Sequence, residues 1–111
     1  MDVVEVAWLA GLLEGDGSFQ MHKNTPSTRV PLIKLSMLDK DIIERVSPIL
    51  QSNVNESKTP KGDKTMYTVA SAKRSVVEPL LFSIFPYMGI RRKEQITKML
   101  NHYKLKDEAH E

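Results

Sequence analysis

The sequence predicts an α+β fold in which helices cover one face of a single antiparallel sheet. Three observations carry that expectation. Segments 18–37 and 53–70 alternate apolar and polar residues and are broken by turn residues, as hairpins are. Segments with helical apolar spacing, opened by capping residues, lie before, between and after them. The resulting order, α-β-β-α-β-β-α-α, layers helices on one side of two paired hairpins. The 111 residues suffice for one domain, residues 1–111.

Asp2-Val3-Val4-Glu5 has the form of a capping box. From Val3 to Leu13 the chain is apolar almost all round, so either the domain or a partner must cover this helix. Gly15 and Gly17 are expected to end it. In the first hairpin Phe19 and Met21 face inward, with Ser18, Gln20 and His22 outward. After the turn cluster Asn24-Thr25-Pro26-Ser27, Ile33, Leu35 and Met37 face inward, with Leu32, Lys34 and Ser36 outward. Asp39 caps a second helix carrying Ile42, Ile43, Val46, Ile49 and Leu50, which Pro48 bends or shortens.

A second hairpin pairs 53–59 with 64–70 around Pro60-Lys61-Gly62-Asp63, with Tyr67 and Val69 inward. Ser75-Val76-Val77-Glu78 is a second capping box, which places Pro79 in a first turn. Pro86-Tyr87-Met88-Gly89 breaks the chain before a last helix with Ile96, Met99, Leu100 and Tyr103 at helical spacing. The polar end, Lys106 to Glu111, is expected to fray.

Composition excludes several classes. At 41% hydrophobic and 27% charged residues, the chain is ordinary for a globular protein. It has no Cys, hence no disulfide framework and no Cys-ligated metal. No apolar stretch is long enough to span a bilayer, and Met1-Asp2 opens no signal peptide. The expected place is therefore inside the cell or an organelle, and not outside the cell. The sequon Asn55-Glu56-Ser57 is then unmodified.

Net charge is only +2, but its distribution is uneven. Residues 18–36 and 53–75 together hold eight cations against two acids. Two readings stand: a basic half facing a polyanion, or strands that use Lys on a solvated surface.

The informative stretch is Leu9-Ala10-Gly11-Leu12-Leu13-Glu14-Gly15-Asp16-Gly17. Taken alone, Glu14-Gly15-Asp16-Gly17 could be a helix stop and a turn. A dinucleotide fingerprint fails, because position 20 is Gln20 and the motif precedes a strand. Gly11 and Gly15, four residues apart beside Ala10, would let two helix backbones approach closely.

The nine residues resemble the LAGLIDADG signature of homing endonucleases and related proteins, matching it at six positions. The departures are Leu13, a conservative exchange for Ile, and Glu14 and Gly15, whose exchanges occur in that family. The element order resembles the family core, with its curved sheet, over nearly the whole chain. Pro86 to Arg92 looks like the family's junction before its last helix, and phage-encoded single-motif members look closest.

The resemblance implies a homodimer built on the first helix, with Trp8, Ala10, Gly11, Leu12 and Gly15 at the interface. It implies a sequence-specific endonuclease that cuts double-stranded DNA and leaves 3′ overhangs. Asp16 and the Gly15 carbonyl would hold Mg²⁺, or Mn²⁺ in its place, since hard ions prefer oxygen ligands and relieve the repulsion of paired carboxylates. Arg91 lies where family enzymes place a cation near the scissile phosphate, with Lys93 the second choice. Asp39 stands near the place of a polar active-site residue, but reads first as a cap.

On the sheet, Ser18, Gln20, His22, Asn24, Lys34, Ser36 and Thr68 are expected to face the major groove, with Leu32 against a thymine methyl. Arg29 is also assigned to DNA. Lys58, Lys61, Lys64, Lys73 and Arg74 are assigned to phosphates. No membrane and no small-molecule cofactor are expected. A non-cleaving maturase or DNA-binding regulator on the same scaffold is the competing class. A fragment that needs another chain is a third.

Overall fold

A computed structural model describes residues 1–109. Its elements are α1 (Val3–Asp16), β1 (Gly17–Thr25), β2 (Thr28–Met37), α2 (Lys40–Leu50), β3 (Asn55–Lys58), β4 (Thr65–Ser71), α3 (Arg74–Ile84), a 3₁₀ turn (Phe85–Tyr87) and α4 (Ile90–Glu108). The four strands form one antiparallel sheet in the order β1-β2-β4-β3. The α+β fold and the element order match the expectation.

Alternation within the strands divides the sheet into two faces. Phe19, Ile33, Leu35 and Val69 are buried on one face, among Leu9, Leu13, Ile43, Val46, Leu81, Ile96 and Met99 of the helices. Each such side chain contributes roughly 1.5–3 kcal/mol on leaving water. No helix covers the other face, and none of its residues is buried.

Helix α1 starts as its sequence requires, with Asp2 accepting from the Glu5 N–H at 2.8 Å. Its end differs from expectation. Gly15 does not stop it; the helix runs through Asp16 to Gly17, which is extended (φ −75°) and donates to the Leu13 carbonyl. A Cβ at Gly17 would stand 2.7 Å from that carbonyl oxygen, so the close turn into β1 requires glycine there.

Other boundaries move for local reasons. Asn24 and Thr25 belong to β1, leaving Pro26-Ser27 as the turn. Helix α2 survives Pro48 by two residues, since buried Leu50 anchors its last turn; Gln51 closes it at φ 51°. Asp39 takes the N-cap position without a side-chain capping bond.

β3 is only four residues long. Helix α3 begins at Arg74, not after Ser75. Glu78 pairs with Arg74 at 3.0 Å rather than reaching back to Ser75, and Pro79 falls in the second turn. Helix α4 continues to Glu108, held by the 2.7 Å pair of Arg74 with Asp107. The expected fraying is thus corrected as far as Glu108, while His110 and Glu111 lie outside the described residues.

Candidate nucleic-acid interface

The end of α1 is where chemistry can be placed. Its buried face is Leu9, Ala10 and Leu13. The opposite stripe is Val4, Ala7, Gly11 and Gly15, all exposed, with Val4 at 78%. A Cβ at Gly11 or Gly15 would meet nothing within 4 Å. The helix is thus apolar all round but covered on one side only. Trp8 and Leu12 flank the stripe, half-buried, and Arg45 stacks on the Trp8 ring at 3.6 Å. Ala10 is the exception among the expected interface residues: it packs in the core and faces away from the stripe.

Asp16, the last residue of α1, is exposed. Glu14, one turn back from Gly17, is engaged internally. Its carboxylate accepts from the Gly89 N–H at the head of α4. Arg92, only 6% exposed, donates from Nε to the Glu14 carbonyl at 3.2 Å, and lies 3.5 Å from its carboxylate. The same guanidinium lies over the Phe19 ring at 5.4 Å and donates to Gln95 at 3.0 Å. A carboxylate at a helix N-terminus is favoured by the helix dipole. This clasp therefore fixes the end of α1, and so Asp16, against the start of α4, which carries Arg91 and Lys93.

The uncovered face of the sheet is read from its register. Ser18 pairs with Lys34 and Gln20 with Leu32. Lys34 pairs in turn with Ala70, and Ser36 with Thr68. Ser36 and Thr68 hydroxyls hydrogen-bond across the strands at 2.7 Å. Asn55 and Ser57 extend this face through β3. Apart from Lys34 and the apolar Leu32 and Ala70, it is a surface of neutral donors and acceptors.

Of the two readings of the charge, a basic half facing a polyanion is not what this face presents, because Lys34 alone among the lysines and arginines stands there. Lys58 shares the opposite face with Thr65 and donates to its hydroxyl at 3.0 Å. Arg29 lies on the Met21 side and donates to the Met21 carbonyl at 3.5 Å. Asn24 falls at a register shift in β1, so alternation does not assign its face. Lys61 and Lys64 are exposed in the β3–β4 turn, and Lys73 is exposed as the N-cap residue of α3. Arg74 is withdrawn from phosphate duty: hydrogen bonds to Asp107 and then Glu78 raise its pKa further, and it stacks on Tyr103 at 4.8 Å.

The family of LAGLIDADG-like domains matches residues 3–103. This chain belongs to the LAGLIDADG family. No curated protein matches it by sequence. Among solved structures it is similar to the homing endonuclease I-TnaI, with TM-score 0.68 and 11% identity over 94% of this chain and 74% of that one. It is also similar to the group I intron-encoded homing endonuclease I-CeuI complexed with DNA, with TM-score 0.68 and 10% identity. That match covers 97% of this chain and 58% of I-CeuI. A third, I-CvuI bound to target DNA in the presence of Mg, has TM-score 0.53 and 18% identity over 88% of this chain and 69% of that one. At these identities the likeness shows the fold.

In this LAGLIDADG chain the motif's two acids are separated by task. Glu14 is tied to Gly89 and Arg92, whereas Asp16 is exposed. Arg91 is exposed, and Lys93 is half-buried with its ammonium over the Phe85 ring at 5.4 Å. Sequence reasoning missed Arg92. The only signal for it was a second Arg beside Arg91 in the junction, and nothing in spacing marks which of the two turns inward. Among the described residues no three His, Asp or Glu side chains come together as a metal site. No described helix is long and apolar enough to cross a membrane.

Proposed function

We propose that this chain is one subunit of a homodimeric, sequence-specific DNA endonuclease that requires a divalent metal ion. The observation that carries this reading is the open stripe of α1 ending at exposed Asp16. A second copy laid along Val4, Ala7, Gly11 and Gly15 would bury that stripe and bring a second Asp16 to the same end.

One copy supplies too few ligands for a metal, consistent with a site shared between two. Asp16 offers a carboxylate. The Gly15 carbonyl lies in the last turn, where a helix leaves carbonyls without intrahelical partners. Two such sets with phosphate oxygens make the all-oxygen environment that Mg²⁺ or Mn²⁺ takes. When bound, such an ion activates water and stabilises the leaving 3′ oxygen.

The chain's own groups divide the remaining work. Asp16 holds negative charge at the helix end, and the Glu14–Arg92 clasp fixes the segment that carries it. Arg91, with Lys93 behind it, would stabilise charge on the phosphate under attack. The uncovered sheet would enter the major groove and present hydroxyls and amides to base edges. Lys61 and Lys64, at the outer turn, would meet phosphates.

The test incubates the protein with a randomised duplex library and Mg²⁺, then sequences the cut ends. The expected result is one pseudo-palindromic site cut with a 3′ overhang. Specific binding without cutting in Mg²⁺ or Mn²⁺ would identify a regulator or maturase instead.

A further inference from the structure

We propose that Lys34 reads a guanine in each half-site, in the part of the site closest to the cut. The inference rests on the sheet entering the major groove as proposed above, and it names what the sheet selects.

Lys34 is the one Lys or Arg on the uncovered face, and it is exposed. Among the described residues no side chain pairs with it. Among the described residues no acid stands on that face to neutralise it: Glu56, opposite Tyr67, belongs to the other side. Its cross-strand neighbours are Ser18 and Ala70, both small, so the ammonium can rise clear of the sheet.

Position decides between base and phosphate. In the order β1-β2-β4-β3, strand β2 is internal, and Lys34 has a strand on either side. Phosphates border the major groove, whereas base edges form its floor. A side chain rising from an internal strand meets the floor first. The cations placed to meet phosphates are elsewhere, on the outer turn.

Chemistry then selects the base. An ammonium carries three donors and no acceptor. Guanine presents two adjacent acceptors, N7 and O6, in the major groove. Adenine sets an amino donor beside its N7, cytosine presents an amino donor, and thymine pairs one carbonyl with a methyl. Guanine is therefore the only base that offers Lys34 two partners.

The row also fixes where that guanine lies. Ser18, partner of Lys34, is two residues beyond Asp16 along β1. The base under this row is thus close to the bond that Asp16 would serve. Two-fold symmetry would repeat it in the other half-site.

Selection of bound duplexes from a randomised library, with parent protein, Lys34→Gln and Lys34→Met, tests this. The parent should enrich guanine at one position in each half-site, near the centre. Lys34→Gln should switch that position to adenine, because a Gln amide matches adenine N7 and N6. Lys34→Met should lose preference there alone, with affinity for the parent site down roughly tenfold. Circular dichroism should show all three equally folded, since Lys34 makes no internal bond.

If both variants lose affinity equally for every sequence and keep the parent preference, Lys34 contacts a phosphate and the proposal fails. A selected site with no guanine near its centre also overturns it, while leaving the endonuclease reading intact. A parent protein that selects no sequence overturns the endonuclease reading, and this inference with it.

Discussion

At Asp16 and Tyr103, single atoms make testable differences. Asp16 is exposed at the last position of α1 and does not support the core. Asp16→Asn should therefore fold and bind DNA as the parent does. Cleavage of the selected site should fall by roughly two orders of magnitude or more, because the ion loses its charged protein ligand. Parent-rate cutting by a folded Asp16→Asn protein would refute the metal assignment. Tyr103 is a different case, since its hydroxyl is buried and has no hydrogen-bond partner among the described residues. Burial, and then Glu78, raise its pKa above the ordinary value of 10.0. The neutral phenol is thus the favoured folded form, so this contribution is complete below pH 10 and is lost as pH rises through the folded pKa. Tyr103→Phe should leave stability at pH 7 unchanged or higher by about 1 kcal/mol, and should flatten the loss at alkaline pH. Thermal melts from pH 7 to 11 would read both effects. Neither the exposure of Asp16 nor the missing partner of Tyr103 is written in residue type. The motif locates Asp16, but the internal engagement of Glu14 depends on Gly89 and Arg92, some seventy-five residues away.

Among the elements, α1 was the most legible and the least complete. Its cap and its apolar girth could be read directly from residues 2–13. Which side stays open could not, because that depends on where α3 and the sheet pack. Gly11→Leu separates the two sides. Open space surrounds the added side chain within one copy, so monomer stability should hold or rise slightly with the gain in helix propensity. Close helix approach between copies should be blocked by overpacking. Sedimentation should then show a folded monomer for the variant and a dimer for the parent, and an undiminished dimer of the variant would place the interface elsewhere. Strand alternation was legible where one face is buried, as at Phe19, Ile33, Leu35 and Val69. It was least so in β3, which has no buried residue and is shorter than its pattern.

For the whole molecule, charge counted along the sequence misled. Eight cations in two windows allowed a basic half facing a polyanion, yet strand register turns Arg29 and Lys58 away from the uncovered face, and Asp107 takes Arg74. What remains toward a polyanion is a hydrogen-bonding floor with Lys34 as its one lysine or arginine and further cations at its outer turn. Such a surface should bind DNA with moderate salt dependence. Reversing Lys34 and Lys64 together should lower affinity and flatten the slope of log Kd against log salt by about one counterion per subunit, the phosphate contact of Lys64. Unchanged affinity together with an unchanged slope, measured by fluorescence anisotropy between 50 and 200 mM salt, would remove the sheet from the interface.

The clasp between Glu14 and the head of α4 also bears on how the chain folds and comes apart. It joins segments 75 residues apart, and closing a span of that length costs about 4 kcal/mol of chain entropy. Such a contact is expected to form after the barrier to folding has been crossed, once both hairpins are in place. Arg92→Met should then leave the refolding rate nearly unchanged and accelerate unfolding, with about 1–2 kcal/mol of destabilisation appearing on the unfolding limb of a chevron plot. The residue that aligns the two ends of the chain would thereby also set the lifetime of the folded state. Equal shifts in both limbs would show that the ends of the chain meet early.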